Sequence, residues 1–329
     1  MHAKQQPLGT PFTAASTADD VLAGIDLTGV NVVVTGGRAG IGLETSRALS
    51  TAGASVTVGA RNPDRASRVL ADLENVEVRR LDLADPESVA AFASWYVGSG
   101  RPLHTLVNNA GGPLHDRRQL DARGYESQFV TNYLGHFQLT LGLQLALRAA
   151  RGARVVNLSS GGHRITGIRW EDPHFATGYQ SLLAYGQSKT ANVLFAVELD
   201  RRWAGDGIRG YAVHPGIVPG TDLNSSVGTD RLRAAGLVDD DGQPVVAPDR
   251  GIKNPRQGAS TTVFAATSPL LAAIGGVYLK DNDISVLDRN PRPVTGAEQD
   301  PPAEVVPHAV DPRSARRLWT LSEQLVGVR

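Results

Sequence analysis

Short apolar runs bounded by glycine, proline and aspartate alternate along the chain with longer stretches in which apolar residues recur every three or four positions. The runs at 31–35, 54–60, 76–81, 103–107, 153–158, 208–213 and 276–279 have strand length. Several are continuously apolar, as strands covered on both faces must be. Helical spacing predicts helices over 41–52, 86–97, a long one over 122–149, then 183–203 and 255–266. Leu318, Leu321 and Leu325 predict a last short helix. Strands alternating with amphipathic helices build a parallel sheet with helices on both faces. The expectation is an α/β fold, a doubly wound, mainly seven-stranded parallel sheet, forming one domain over 27–329 after an N-terminal extension, 1–26. Residues 218–254 break the rhythm, being rich in Gly, Pro, Ser and Asp. A long irregular insertion in a compact domain is commonly functional, so this segment is the expected substrate lid.

Composition narrows the partners. With 33 basic and 33 acidic residues the chain has no net field to draw polyanions, and no basic run is interleaved with aromatics. Nucleic acid is therefore not an expected partner. The lack of cysteine removes disulfides, thiolate metal sites and a cysteine nucleophile, and fits a reducing compartment. The polar stretch from Met1 to Asp26 holds no apolar core of signal-peptide length, and no apolar stretch is long enough to span a bilayer. The expectation is a cytoplasmic protein that needs no membrane. The 8 histidines show no ligand spacing, so no metal is expected.

Two local patterns carry chemistry. In Thr35-Gly36-Gly37-Arg38-Ala39-Gly40-Ile41-Gly42 a buried strand runs through glycines into a helix. Such a turn lets backbone approach a pyrophosphate and aims helix N-terminal amides at it. The next strand ends Gly59-Ala60-Arg61-Asn62. An acidic residue there would hold the ribose hydroxyls of NAD, whereas arginine accommodates a 2′-phosphate. Arg61, with Arg38 as a second cation, favours NADP(H). Farther on, Tyr185 and Lys189 in Ala184-Tyr185-Gly186-Gln187-Ser188-Lys189 stand one helical turn apart on one face. A free phenol titrates near about 10, and a neighbouring ammonium is expected to lower that value toward working pH, making an acid/base.

With these go Leu81-Asp82-Leu83, Asn108-Asn109-Ala110-Gly111, Asn132 in Asn132-Tyr133-Leu134-Gly135-His136-Phe137, Ser159-Ser160 and Pro215-Gly216, all in one order. The chain resembles the short-chain dehydrogenase/reductases over nearly its whole length. Stretches such as Asn132 to Phe137 and Ala212-Val213-His214-Pro215-Gly216 look most like the branch holding retinol dehydrogenases and the WW-domain-containing oxidoreductase. The resemblance implies a Rossmann-type fold and a role for each residue. Tyr185 is the implied proton donor or base, Lys189 its partner and the holder of the nicotinamide ribose, and Ser160, rather than Ser159, the donor to the substrate oxygen. Asn132 is implied to hold a water joining Lys189 to solvent. The implied cofactor contacts are Gly36, Arg38, Gly40, Ile41, Arg61, Asp82, Leu83, Asn108, Ala110, Gly111, Tyr185, Lys189, Pro215, Gly216 and Ile217, the last through its backbone to the carboxamide.

The chain departs from the family at Gly112-Pro113, where a bulky apolar residue is usual, and carries His163, Trp170, His174 and Tyr179 between serine and tyrosine. These four suit packing better than pocket lining. The expected function is NADP(H)-dependent reduction of a ketone, aldehyde or quinone-like carbonyl on a fairly large apolar small molecule, or the reverse. The alternatives are an NAD-linked alcohol dehydrogenase and a non-catalytic dinucleotide-binding sensor or scaffold. A homodimer or homotetramer stands as the candidate assembly.

Overall fold

The computed structural model describes residues 4–221, 228–294 and 301–328. The chain forms α1 (Ala18–Leu22), β1 (Asn31–Thr35), α2 (Gly40–Thr51), β2 (Ser55–Ala60), α3 (Pro63–Val69), β3 (Val76–Arg80), α4 (Pro86–Gly98) and β4 (Thr105–Asn108). Then come α5 (Ser127–Phe129), a π-helical turn (Val130–Leu134), α6 (Gly135–Gly142), α7 (Gln144–Ala149), β5 (Arg154–Leu158), α8 (Ser181–Trp203) and β6 (Arg209–His214). The last part holds α9 (Thr229–Ala234), α10 (Pro255–Thr267), β7 (Val277–Lys280), β8 (Asp283–Ile284) and α11 (Pro312–Val326). The sheet order is β3-β2-β1-β4-β5-β6-β7-β8. The strands are parallel through β7, and β8 returns antiparallel. Strand order reverses between β1 and β4, and a ligand crevice opens at the carboxyl ends beside such a switch.

The valine run of β1 is buried because the sheet divides the core. Val33 joins the cluster of Phe92, Phe137 and Trp319, while Val32 and Val34 join that of Leu49, Val263 and Phe264. Alternate side chains of one strand thus feed both helical layers. The seven expected strands are present and an eighth, two-residue strand closes the edge; it is too short for any pattern to register. Helices α1 and α3, of five and seven residues, are likewise too short for helical spacing to predict. The expected helix 122–149 begins only at Ser127. Asp121 binds the amides of Arg123 and Tyr125, Gly124 takes φ +82, and Glu126 caps α5 by accepting from the Gln128 and Phe129 amides. The helix is interrupted again by the π turn and at Leu143.

Residues before α1 pack on the sheet. The Gln5 side chain, 4% exposed, donates to the carbonyls of Tyr278 and Ser285 and accepts from the Tyr278 amide. The amides of Leu8, Gly9 and Thr10 converge on the Asp283 carboxylate. Of the expected lid, residues 222–227 lie outside the described residues. The rest is more ordered than its composition suggested. It contains α9, an antiparallel bridge between Val238 and Pro244, and bridges from Ile252 to Ile217 and Ala247.

The π turn is seated by a close approach: a Cβ on Gly135 would fall on the carbonyl of Leu83. Gly135→Ala is expected to cost about 1–3 kcal/mol, the range for forced overpacking, and to lower the thermal midpoint. Gly98→Ala, at a site with nothing within 4 Å, serves as the control. Equal melting curves for both variants would show that the helix can slide away from Leu83.

Candidate active site

The crevice is built around the end of β1. Gly36 adopts φ +67, and a Cβ there would lie 3.1 Å from Ala110 Cα, so the loops after β1 and β4 meet only because that residue is glycine. At Gly42 a Cβ would collide with the Asn109 amide and the Gly36 carbonyl. The N-cap of α2 is Ala39, with no side-chain hydrogen bond, so the first amides of this 12-residue helix keep their donors for a ligand. Together these features form a backbone cradle that side chains would fill, and it fits a dinucleotide pyrophosphate. Thr221 closes its other side, with Cγ2 3.3 Å from the Cβ position of Gly40.

Thr35 ties the loops together. Its Oγ1 accepts from the Asn109 and Ala110 amides, each at 3.0 Å, and lies 2.8 Å from His136 Nε2. His136 Nδ1 lies 3.2 Å from the Asn132 carbonyl. That oxygen only accepts, so Nδ1 carries the proton. Burial holds the ring neutral, its pKa pushed down to about 3, and the Thr35 hydroxyl therefore donates to Nε2. Thr35 and His136 both fall inside the sequence motifs, but nothing in the sequence assigns either a role.

On the adenosine side Arg61 is exposed at the end of β2, its carbonyl held by Arg80 Nη1 at 3.3 Å. Arg38 lies partly exposed in the glycine turn. Asp82 accepts from the Ala84 amide at 3.1 Å, and Leu83 is buried against Gly135. Ala110 and Gly111 reach the crevice, but the Asn108 side chain turns into the sheet, donating to Asn157 Oδ1 at 2.8 Å and Thr140 Oγ1 at 3.2 Å. Only the Asn108 backbone is left to line a ribose.

At the far end, α8 and the π turn bring Tyr185, Lys189, Ser160 and Asn132 together. The two serines separate cleanly: Ser159 Oγ donates to the Lys189 carbonyl at 2.8 Å, whereas Ser160 sits beside the Tyr185 phenol and favours its ionised form. Ser160 Oγ also accepts from the Gly162 amide at 3.1 Å. A Cβ on Gly162 would meet the Tyr185 ring at 2.7 Å, so the serine turn can lie flat on the phenol. Asn132 Nδ2 donates to Ser188 Oγ at 3.0 Å, and its Oδ1 accepts from the Gly112 amide at 2.9 Å. The unusual Gly112-Pro113 thus anchors Asn132 through backbone.

Electrostatics correct one expectation. Lys189 Nζ sits 5.5 Å from the centroid of the Tyr185 ring and donates to the Leu158 carbonyl at 3.1 Å. It lies over the ring. Burial raises the Tyr185 pKa, and the hydrogen bond to Ser160, not the lysine, opposes that rise. Burial also pulls Lys189 down to about 8.

A second correction concerns Ile217. Gly216 takes φ +84 beneath the Lys253 side chain, whose Nζ pairs with Asp281 Oδ1 at 2.6 Å. The Ile217 amide then donates to the Gly251 carbonyl at 2.8 Å and its carbonyl accepts from the Lys253 amide at 2.8 Å. Its backbone is engaged by this pairing, and the next carbonyl, that of Val218, accepts from Thr221 Oγ1 at 3.2 Å. Of the segment between serine and tyrosine, His163 is fully buried, Trp170 lies under Arg317, and His174 stacks on Tyr125 at 4.5 Å. Tyr179 donates to the His115 carbonyl at 2.9 Å. Among the described residues no cluster of acidic groups and histidines is placed to hold a metal ion, and no helix is long and apolar enough to cross a membrane.

Comparison with known proteins agrees with this geometry. The short chain dehydrogenase family model matches residues 30–232. The "Probable oxidoreductase" of Streptomyces antibioticus is 46% identical over 302 residues, covering 90% of this chain and 97% of that protein. Retinol dehydrogenase 12 of Mus musculus is 35% identical over 311 residues, covering 93% and 89%. A crystal structure of an uncharacterised protein from Mycobacterium paratuberculosis superposes with TM-score 0.69 at 31% identity, covering 97% and 99% of the two chains. A mostly parallel sheet with its crevice at the strand switch, and a tyrosine, lysine and serine gathered at its far end, thus accompany sequence relatives over nearly the whole chain: the protein belongs to the short-chain dehydrogenase family of oxidoreductases.

Proposed function

We propose that the protein is an NADP(H)-dependent oxidoreductase that reduces a carbonyl on a fairly large apolar small molecule to the alcohol, or runs the reverse, with Tyr185 as acid/base. The observation that carries this reading is the gathering of Ser160 beside the Tyr185 phenol with Lys189 Nζ over its ring. The nicotinamide supplies or takes the hydride. Ser160 Oγ receives the Gly162 amide, which leaves its own proton to bind a substrate oxygen alongside the phenol. Tyr185 Oη gives its proton to that oxygen in reduction. Lys189, charged below about pH 8, holds the ribose hydroxyls and keeps positive charge over the ring as the phenolate forms. Val218, in place of Ile217, offers its backbone to the carboxamide.

Tyr185→Phe keeps the ring and removes the proton. Turnover is expected to fall about a hundred- to ten-thousandfold, the usual effect of one acid/base group, with NADPH affinity unchanged by fluorescence titration. A rate within a few-fold of the parent, on a ketone, quinone or aldehyde that the parent reduces, would refute the mechanism.

The preference for NADP(H) rests on an exposed Arg61 at the end of β2 and on the lack of a carboxylate there. Arg61→Asp removes a phosphate partner and adds a repelling charge. Charge-assisted hydrogen bonds contribute about 1.5–3 kcal/mol, so NADPH affinity should fall about ten- to a hundredfold while NADH affinity holds or rises. Equal NADPH affinity in parent and variant would mean that Arg61 does not touch the cofactor.

The segment 218–254 follows Pro215-Gly216 at the carboxyl end of β6, and Leu232, Leu237 and Val245 are its partly buried apolar side chains. We assign it to the substrate as a lid. Hydrogen exchange of the NADPH-bound protein should show protection gained over 229–246 when product is added. Identical exchange with and without product would make the segment ordinary surface.

A further inference from the structure

Behind the serine turn lies a buried pair that the mechanism above does not use. His163 is fully buried in the single turn Gly161–Arg164, for which Ser160 is the N-cap, and its Nδ1 lies 2.6 Å from the Ser160 carbonyl oxygen. That oxygen only accepts, so Nδ1 carries the proton. The ring is neutral, burial holding its pKa down at about 3, which leaves a lone pair on Nε2. The backbone of this residue is fixed independently: its carbonyl accepts from Thr190 Oγ1 at 3.0 Å and lies 2.9 Å from His308 Nε2.

Tyr278 on β7 is also fully buried, and its ring lies 4.8 Å from that of His163, centroid to centroid, at an interplanar angle of 54°. Its amide and carbonyl are held by Gln5. Neither His163 Nε2 nor the Tyr278 hydroxyl has a hydrogen-bond partner among the described residues. One is a buried acceptor, the other a buried donor, and the two rings are in contact. Buried polar groups rarely persist alone, and a shift of the tyrosine side chain about χ1, which carries the hydroxyl with it, is the movement that would pair these two.

We propose that Tyr278 is a positioning residue for Ser160. Its hydroxyl donates to His163 Nε2, which polarises the imidazole and strengthens the Nδ1–H bond to the Ser160 carbonyl. The serine is thereby held with its hydroxyl on the Tyr185 phenol. This rests on the reading of Ser160 and Tyr185 as the pair that meets the substrate oxygen.

Tyr278→Phe removes only the hydroxyl. With saturating NADPH and a carbonyl compound that the parent reduces, kcat is expected to fall about tenfold, while NADPH Kd and the substrate KM stay within twofold. His163→Asn keeps an N–H for the Ser160 carbonyl but has no acceptor where Nε2 stood, so its kcat should fall by a similar factor. Adding Tyr278→Phe to His163→Asn should then change kcat no further, because the two substitutions break one chain. An unchanged kcat with a raised melting temperature in Tyr278→Phe would mark the hydroxyl as an orphan and overturn the proposal. Multiplying effects in the double variant would overturn it as well. If Tyr278→Phe does not fold, His163→Asn decides alone, and parental kcat in that variant refutes the chain. Failure of the catalytic reading itself would be seen separately, as retained activity in Tyr185→Phe.

Discussion

The Thr35 hydroxyl is the constraint on which the crevice depends. It sits at the end of β1, where the sheet changes direction, and all its hydrogen-bonding capacity is engaged: two amides of the loop after β4 approach its lone pairs, and its proton goes to His136. Through His136 it reaches the carbonyl of Asn132, and Asn132 in turn fixes Gly112 and Ser188. A buried donor or acceptor left without a partner costs about 1–3 kcal/mol, so an isosteric Thr35→Val would strand several groups at once. The glycine turn and the catalytic end are thereby set in one frame, a strand apart.

At the catalytic end burial and charge pull in opposite directions. A low-dielectric site disfavours ions of either sign, and the tyrosine is pushed up while the lysine is pushed down. The tyrosine therefore stays protonated, while the lysine keeps its charge by a narrower margin than a free lysine would. Hydroxyls brought to Lys189 would restore part of its hydration and widen that margin.

Strand-length apolar runs and the glycine turn made the sheet and its crevice legible, because doubly covered strands leave a continuous signal and pyrophosphate binding leaves an absence of side chains. Tyr185, Lys189 and Ser160 were legible by spacing and resemblance. What escaped was set by contacts that no residue pattern announces, some local and some far apart in the chain. The break in the helix over 122–149 comes from Asp121 gathering nearby amides and from Leu83 pressing on Gly135. Ile217 lost its expected part because Gly251 and Lys253, more than thirty positions on, pair with its backbone. His136 and His163 look like ordinary core histidines in the sequence, and only their distances to carbonyl oxygens reveal the tautomer each must hold.

At the last parallel strand the side chain of Gln5 presents an N–H and a C=O to Tyr278 in the manner of a neighbouring backbone, beside a β8 only two residues long. An exposed strand edge is a template for other chains, and a side-chain amide satisfies it without offering a further edge of its own. The sheet is thereby terminated in the sense that a crystal face is poisoned by a misfit molecule. A second copy that met this flank would find no free backbone amide at Tyr278 on which a ladder could grow.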